Sequence, residues 1–170
     1  LKRGGEWYAT MGASTKNSKG TKIFSVSGHV RKPGNYEIEF GTSMAELLEL
    51  AGGMSGGELK ACVPGGSSVP ILNAENTMKA IIGYEEMGEV GSMVGSGGCM
   101  FLNEQTCIVS FIWRTAQFYA RESCGKCTPC REGTRWLEQI LARIVSGNGQ
   151  PGDRELLLDV CSQIDGRSFC

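Results

Sequence analysis

The stretch Cys124-Gly125-Lys126-Cys127-Thr128-Pro129-Cys130 constrains this chain more than any other feature. Three thiols recur at every third residue, in a segment that Gly125 and Pro129 keep loose, so their sulfurs can turn inward around a single object. A fourth thiol, Cys170, stands far downstream, after two segments of helical periodicity. If those segments pack as an antiparallel hairpin, Cys170 returns to the level of Cys130. Three close thiolates and one remote thiolate are the usual ligand set of a 4Fe–4S cluster. Two other readings stand beside it. Four cysteines also make a structural zinc site, although zinc prefers two separated pairs to one triple and a single. A disulfide framework belongs to exported proteins, and nothing in the sequence marks export.

Charge points toward the cluster. A cubane with four thiolates is a net anion, and Arg121, Lys126, Arg131 and Arg135 lie within a few residues of the triple. Cations and N–H groups near the sulfurs favour the reduced state and raise the potential. The N-terminus of a helix predicted over Gly133–Ser146 adds partial positive charge beside Cys130. The other four cysteines read differently. Cys62 and Cys99 sit in strand candidates, Cys107 near a helix start and Cys161 on an apolar helix face, and single cysteines in such places act as small hydrophobes.

Composition narrows the class. At roughly 100–200 residues per domain, 170 residues hold one ordinary domain or two small ones. Seventeen Lys and Arg against 18 Asp and Glu leave a net charge of −1, without the basic balance of a nucleic-acid binder. No apolar run approaches the ~18 residues of a membrane span; the longest apolar tendency, around Cys107–Tyr119, is broken by Ser110, Arg114, Thr115 and Gln117. The opening Leu1-Lys2-Arg3-Gly4-Gly5 is not a signal peptide. Together with the terminal Cys170, it leads us to expect a piece of a longer polypeptide.

The first 19 residues are polar and turn-rich and read as a linker or mobile loop. From residue 20, Ile23–Ser27 and Tyr36–Phe40 are strand-like. Lys32-Pro33-Gly34-Asn35 between them has the composition of a type II turn, which predicts a β-hairpin. Thr42 or Ser43 caps a helix over Met44–Leu50, and Glu46, three residues after Ser43, fits a capping box. Lys60–Val63, Val69–Leu72 and Cys99–Leu102 are further strands. One helix packed across a mixed sheet, a small α+β domain, is expected over residues 20–105.

Beyond it the apolar period becomes helical. Helices are expected over Cys107–Arg121, capped by Thr106, over Gly133–Ser146, and from Asp153 to Gly166, forming an all-α bundle over 106–170. Trp113 and Trp136 fall on apolar faces and read as core. The Gly-rich runs at 52–57, 65–66 and 95–98 lack the strand–loop–helix context of a nucleotide site and read as turns. The single His29 has no nearby ligand or nucleophile and reads as a structural or surface residue. Glu85-Glu86 reads as a solvated face.

The segment Arg121-Glu122-Ser123-Cys124-Gly125-Lys126-Cys127-Thr128-Pro129-Cys130-Arg131-Glu132-Gly133 resembles the cluster motif of the NADH-binding flavoprotein subunit of respiratory complex I, the NADH-quinone oxidoreductase-F family. Gly166-Arg167-Ser168-Phe169-Cys170 is similar to that family's segment with the fourth ligand. Gly20–Phe24, Ser27–Val30, Pro64–Ser68 and Gly95–Gly98 resemble its SLBB domain, a ubiquitin-like β-grasp module. The resemblance implies the fold class α+β: residues 1–19 a linker from an FMN- and NADH-binding domain outside this chain, 20–105 the SLBB domain, and 106–170 an iron–sulfur helical bundle truncated at its C-terminus. It implies metal ligands Cys124, Cys127, Cys130 and Cys170 for one 4Fe–4S cluster, which takes electrons from NADH-reduced FMN. No catalytic residue and no FMN or NADH ligand is implied within the chain itself.

The implied partners are other subunits of a multi-subunit NADH dehydrogenase, notably a thioredoxin-like 2Fe–2S subunit and an iron–sulfur relay subunit. The implied place is the cytoplasmic side of a bacterial inner membrane, peripheral and without a span, or else the mitochondrial matrix. Diaphorase subunits of NAD-linked hydrogenases and formate dehydrogenases share the motif and form an alternative. The reading from another class is a non-redox SLBB binding module with a structural zinc site.

Overall fold

Thr21–Gly28 (β1) alternates buried Phe24 and Val26 with exposed Ile23, Ser25 and Ser27, so one face of this strand meets a core. It belongs to a computed structural model that describes residues 2–12 and 14–170. The chain divides into two units, Leu1–Thr106 and Cys107–Cys170.

In the first unit, β1 pairs antiparallel with β2 (Gly34–Glu39), with Thr21 opposite Glu39 and Val26 opposite Gly34. Its other edge pairs in parallel with a late strand, Gly98–Asn103, in the register Val26 to Cys99. That strand runs antiparallel to β3 (Leu59–Val63), which carries the two-residue β4 (Leu72–Asn73) on its far side. With Gly98–Asn103 as β5, the order is β2-β1-β5-β3-β4, a mixed five-stranded sheet of the β-grasp kind. The helix Met44–Leu50 begins at the expected capping box: Glu46 N–H donates to Ser43 Oγ and Ser43 N–H to Glu46 Oε2. Its Met44, Leu47 and Leu48 share a core with Phe24, Ile38, Ile82, Met87 and Phe101, because the capped first turn aims its apolar stripe at the sheet.

The connection between β1 and β2 departs from the type II turn. Gly34 is the first residue of β2, outside the positive-φ set, and the left-handed position falls instead on Gly28, with φ +86°. The residues between them pair elsewhere. His29 N–H donates to Phe101 O, Ser55 N–H to His29 O, and Lys32 N–H to Ala51 O. Those bonds stretch the connection over residues 29–33. The strand expected over Val69–Leu72 shrinks to β4 because Pro70 has no N–H to give a ladder and its carbonyl accepts from Ser92 Oγ at 2.6 Å.

Three short helices went unanticipated: Gly4–Tyr8, Ala74–Lys79 and Tyr84–Glu89. At five or six residues each, they are too short to display an apolar period. The last of them also changes the reading of the polar N-terminal stretch. Glu85 accepts from Asn17 Nδ2 and Ser18 Oγ, Glu86 Oε1 accepts from Lys16 N–H, and Tyr84 N–H donates to Ser18 Oγ. Thr15 and Ser18 are buried. Residues 15–18 are thus tied down, and Glu85-Glu86 anchors them rather than simply facing solvent.

The second unit holds three helices, Ile108–Glu122, Thr128–Val145 and Asp153–Ile164. Numbering all helices in chain order, Gly4–Tyr8 is α1, Met44–Leu50 α2, Ala74–Lys79 α3, Tyr84–Glu89 α4, and these three α5 to α7. Cys107, not Thr106, is the N-cap of α5, and Thr106 Oγ1 is spent on Asn103 Oδ1. Helix α6 starts at Thr128, five residues before the expected Gly133. Pro129 lies in its first turn, where a missing N–H costs nothing. Trp113 Nε1 donates to Glu138 Oε1, joining α5 to α6. Arg143 holds Asp153 with two hydrogen bonds, one of them Nε to Oδ2 at 2.9 Å, which fastens the α6–α7 turn. Ala116, Ile140, Leu141 and Val160 are buried, and Val109 and Ile112 are exposed; Trp136 is 55% exposed, against the expectation of core.

Candidate metal centre

Helix α5 ends against Ser123, and only four residues separate that cap from Thr128 at the start of α6. Cys124 lies in this connection, Cys127 is the N-cap of α6, and Cys130 is the third residue of the helix. Gly125, at φ +75°, turns the chain between them. Its N–H donates to Ser123 Oγ, and its carbonyl accepts from Arg131 Nη1 at 2.8 Å, so a side chain of α6 staples the loop to the helix. Arg131 Nε is meanwhile held by Glu132 at 2.8 Å. Ser123 Oγ and Cys130 Sγ are 3.4 Å apart. The early helix start thus puts Cys127 and Cys130 at the N-terminus of an 18-residue helix, where first-turn N–H groups lack partners and the dipole is positive.

The return of the chain rests on a glycine. At Gly133 a Cβ would stand 2.7 Å from Ile164 Cδ1 and 3.4 Å from Val160 Cγ1, so the end of α7 crosses close over the start of α6. Beyond α7 the chain turns at Gly166, and Lys126 Nζ lies 5.2 Å from the centre of the Phe169 ring. Cys170 therefore follows directly on a residue in contact with the loop that carries Cys124 and Cys127. Ser168 Oγ is buried with no hydrogen-bond partner. Cys127 and Cys130 are half-buried, while Cys124 and Cys170 are exposed. Among the described residues, no three of His, Cys, Asp and Glu form a ready-made metal cage. The structure brings the two thiol-bearing segments side by side without converging their sulfurs.

The residues fit an iron–sulfur cluster on chemistry. Among the described residues no two cysteines share a disulfide, so the thiols of both segments remain available as soft anionic donors. The helix N-terminus, Arg131 and Lys126 supply positive character where a four-thiolate cluster carries negative charge. The unpartnered Ser168 hydroxyl, two residues from Cys170, is a donor of the kind that serves cluster sulfurs.

The remaining cysteines divide. Cys62 and Cys99 are fully buried, with sulfurs 3.7 Å apart, and burial pushes the Cys62 thiol well up from its ordinary value. Cys107 and Cys161 are exposed, correcting their reading as packing residues. His29 serves the sheet through its backbone. The Gly-rich runs at 65–66 and 95–98 pack on each other: a Cβ on Gly65 would meet Val94 O at 2.1 Å, and one on Gly95 would meet Gly65 O at 2.2 Å. Two surface concavities, of about 360 and 320 Å³, are lined by residues between Thr10 and Glu46 and between Ser25 and Met100; neither is lined by any of the four candidate ligands.

Comparison with known proteins shows what the chain is similar to. Residues 110–170 match the NADH-ubiquinone oxidoreductase-F iron-sulfur binding region, and residues 22–88 match the SLBB domain. The chain is 44% identical to the NADH-quinone oxidoreductase-F protein of Streptomyces coelicolor, over 100% of its own length and 37% of that protein. It is 44% identical to the corresponding protein of Rickettsia felis, over 100% of this chain and 40% of the relative. For Mycobacterium bovis the figures are 45%, 97% and 37%. The chain thus spans about two fifths of these relatives' length. A crystal structure of NAD+-reducing [NiFe]-hydrogenase in the H2-reduced state superposes with a TM-score of 0.84 at 29% identity, covering 96% of this chain and 27% of that one.

Proposed function

We propose that this chain, homologous over its whole length to part of NADH-quinone oxidoreductase-F, carries electrons within an NADH dehydrogenase through one 4Fe–4S cluster held by Cys124, Cys127, Cys130 and Cys170. The observation that carries the reading is the contact of Lys126 with Phe169, which sets the segment ending in Cys170 beside the start of α6. The match of residues 110–170 to an iron–sulfur binding region supports it.

When bound, a 4Fe–4S cluster supplies a one-electron site whose potential follows charge, hydrogen bonding and burial. The chain's own work is to bind and to orient. Arg131 fixes the loop, Cys127 and Cys130 present their thiols at a helix N-terminus, and Thr134 Oγ1 donates to Cys130 O at 2.7 Å, steadying that turn. No side chain here is assigned a bond-making step. Residues 20–105 act as the SLBB scaffold and 106–170 as the cluster-holding bundle, with FMN and NADH bound elsewhere in the protein. The partners in this reading are a thioredoxin-like 2Fe–2S subunit and an iron–sulfur relay subunit, on the cytoplasmic side of a bacterial inner membrane. Among the described residues no helix is long and apolar enough to cross a membrane.

The superposition on the NAD+-reducing hydrogenase favours a second reading, the diaphorase part of such an enzyme. Both readings predict the same centre. The protein is purified without oxygen, and iron, sulfide, visible absorption and EPR are measured before and after dithionite. About four irons per chain, absorption that bleaches and a reduced-state signal are expected, and Cys170→Ser should disrupt the signal. One zinc and a silent spectrum would replace electron transfer with a structural zinc site.

A further inference from the structure

We infer that Lys126 is a positioning residue: its ammonium, seated on the Phe169 ring, latches the segment that ends in Cys170 onto the Cys124–Cys130 loop. The inference rests on the cluster reading above and assigns a task to a residue between two of its ligands. The distance of 5.2 Å is within the ~6 Å at which a cation is drawn to an aromatic face. Among the described residues no carboxylate is within ion-pair distance of Lys126, so the ring is the partner its charge finds. Phe169 is 85% exposed, which means that burial does not hold the ring in place. The attraction of the ammonium for the ring face holds it instead.

The hydrogen bonds of Arg167, two residues before Phe169, do not run to the loop. Arg167 N–H donates to Ile164 O and its guanidinium to Gln163 Oε1, both back into α7. Ser168 Oγ is buried while Phe169 is exposed, so the segment has a definite orientation. The fourth thiol comes from a part of the chain separated from the other three by two helices. Its effective concentration at the loop depends on how long the segment stays docked, and a docked segment needs less ordering when the ligands close.

The test uses the full-length protein that contains this chain, as wild type, Lys126→Arg, Lys126→Gln, Phe169→Leu and the Lys126→Gln/Phe169→Leu double variant. In metal-free protein, the rate at which the azo oxidant diamide joins Cys170 to a cysteine of the 124–130 loop reads the latch directly. Each thiol gives up one hydrogen to the azo group as the disulfide forms. Lys126→Gln and Phe169→Leu should each slow cross-linking about two- to fivefold, the strength of an exposed cation–π contact. The double variant should match the singles rather than their product, and Lys126→Arg should restore the rate. In cluster-bearing protein the same two single variants should show a larger 3Fe–4S EPR signal after brief air exposure, and Lys126→Arg should not. Wild-type cross-linking in Lys126→Gln, or a double variant equal to the product of the singles, overturns the latch. Wild-type protein without iron overturns the cluster reading instead, and the cross-linking rates still report separately on the contact.

Discussion

Gly133 of α6 and Ile164 of α7 touch where the two helices cross: a Cβ on Gly133 would lie 2.7 Å from Ile164 Cδ1 and 2.9 Å from Cγ1. Both atoms belong to a side chain near a helix end, which can turn aside for one methyl. Alanine also gains about 1 kcal/mol of helix propensity over glycine. Gly133→Ala should therefore change stability by less than about 1 kcal/mol, the two effects offsetting. Gly133→Leu has no such room and should cost about 1–3 kcal/mol by overpacking. It should also lower iron occupancy, because it lifts the end of α7 and Cys170 with it. Urea unfolding and iron analysis of the two variants check this. Equal iron in Gly133→Leu and wild type would show that the crossing does not position the fourth thiol.

Asp153 opens α7 while accepting from Arg143 and from Gln150 N–H, and it is only 5% exposed. The Arg143 bond first, then the backbone bond, lowers its carboxyl from the ordinary 3.8 to about 2. A carboxyl whose folded pKa is depressed contributes stability above its unfolded value, and the contribution is lost as pH falls through the folded one. The stabilisation from this pair should be intact at pH 7, decline from about pH 4, and be gone below about pH 2. Thermal unfolding of Asp153→Asn should show a lower Tm than wild type at pH 7 and a gap that closes across that window. A gap independent of pH would mean that the ion pair is not its source.

The hairpin, the capping box at Ser43, the strands about Lys60 and Cys99 and the three long helices were legible because each carries a local signal. Misreadings arose where long-range bonds or missing neighbours decide. Pro33-Gly34 has turn chemistry, yet His29 and Lys32 are claimed by Phe101 and Ala51, residues far along the chain. Pro129 reads as a helix breaker until it is placed in a first turn, which moves Cys130 from a loop into α6. Helical spacing puts Trp136 on an apolar stripe but says nothing of what covers it, and the ring is exposed. Spacing and resemblance single out the four candidate ligands. In the sequence Lys126 is one of four nearby cations, and its pairing with Phe169 has no sequence signal because it depends on the α6–α7 return.

Thiol reactivity should separate the cysteines by place. Cys62 and Cys99 are fully buried in the sheet core, and burial, then the neighbouring Cys99 thiol, raises the Cys62 pKa well above its ordinary value. Little thiolate forms there and little reagent reaches it. In metal-free native protein N-ethylmaleimide should label Cys124 and Cys170 at least about a hundredfold faster than Cys62 or Cys99, since labelling the core pair requires opening the sheet at a cost of about 3 kcal/mol or more. Peptide mass spectrometry over time checks the order. In urea the difference should vanish. Rapid labelling of Cys62 in the native state would mean that β3 and β5 part far more readily than their packing indicates.

Two glycines at either end of the β1–β2 connection should respond oppositely to the same substitution. At Gly28, φ is +86° and a Cβ would stand 2.2 Å from Phe101 O and 3.0 Å from Phe101 N. Alanine there takes on a left-handed penalty of roughly 1 kcal/mol. It also collides with backbone that has nowhere to move, and it threatens the bond from His29 N–H to Phe101 O at 2.8 Å. Gly28→Ala should destabilise the first unit by about 2–4 kcal/mol, the sum of strain and a lost buried hydrogen bond. Gly34 is in the strand, and the nearest atom to its Cβ would be Tyr36 Cε2 at 3.9 Å, which is ordinary contact. Alanine at Gly34 restricts the unfolded chain without native strain and should stabilise by about 0.5–1 kcal/mol. A type II turn at Pro33-Gly34 would reverse these signs, because it needs glycine at position 34 and leaves position 28 indifferent. Urea midpoints of the two variants therefore decide which residue turns the chain.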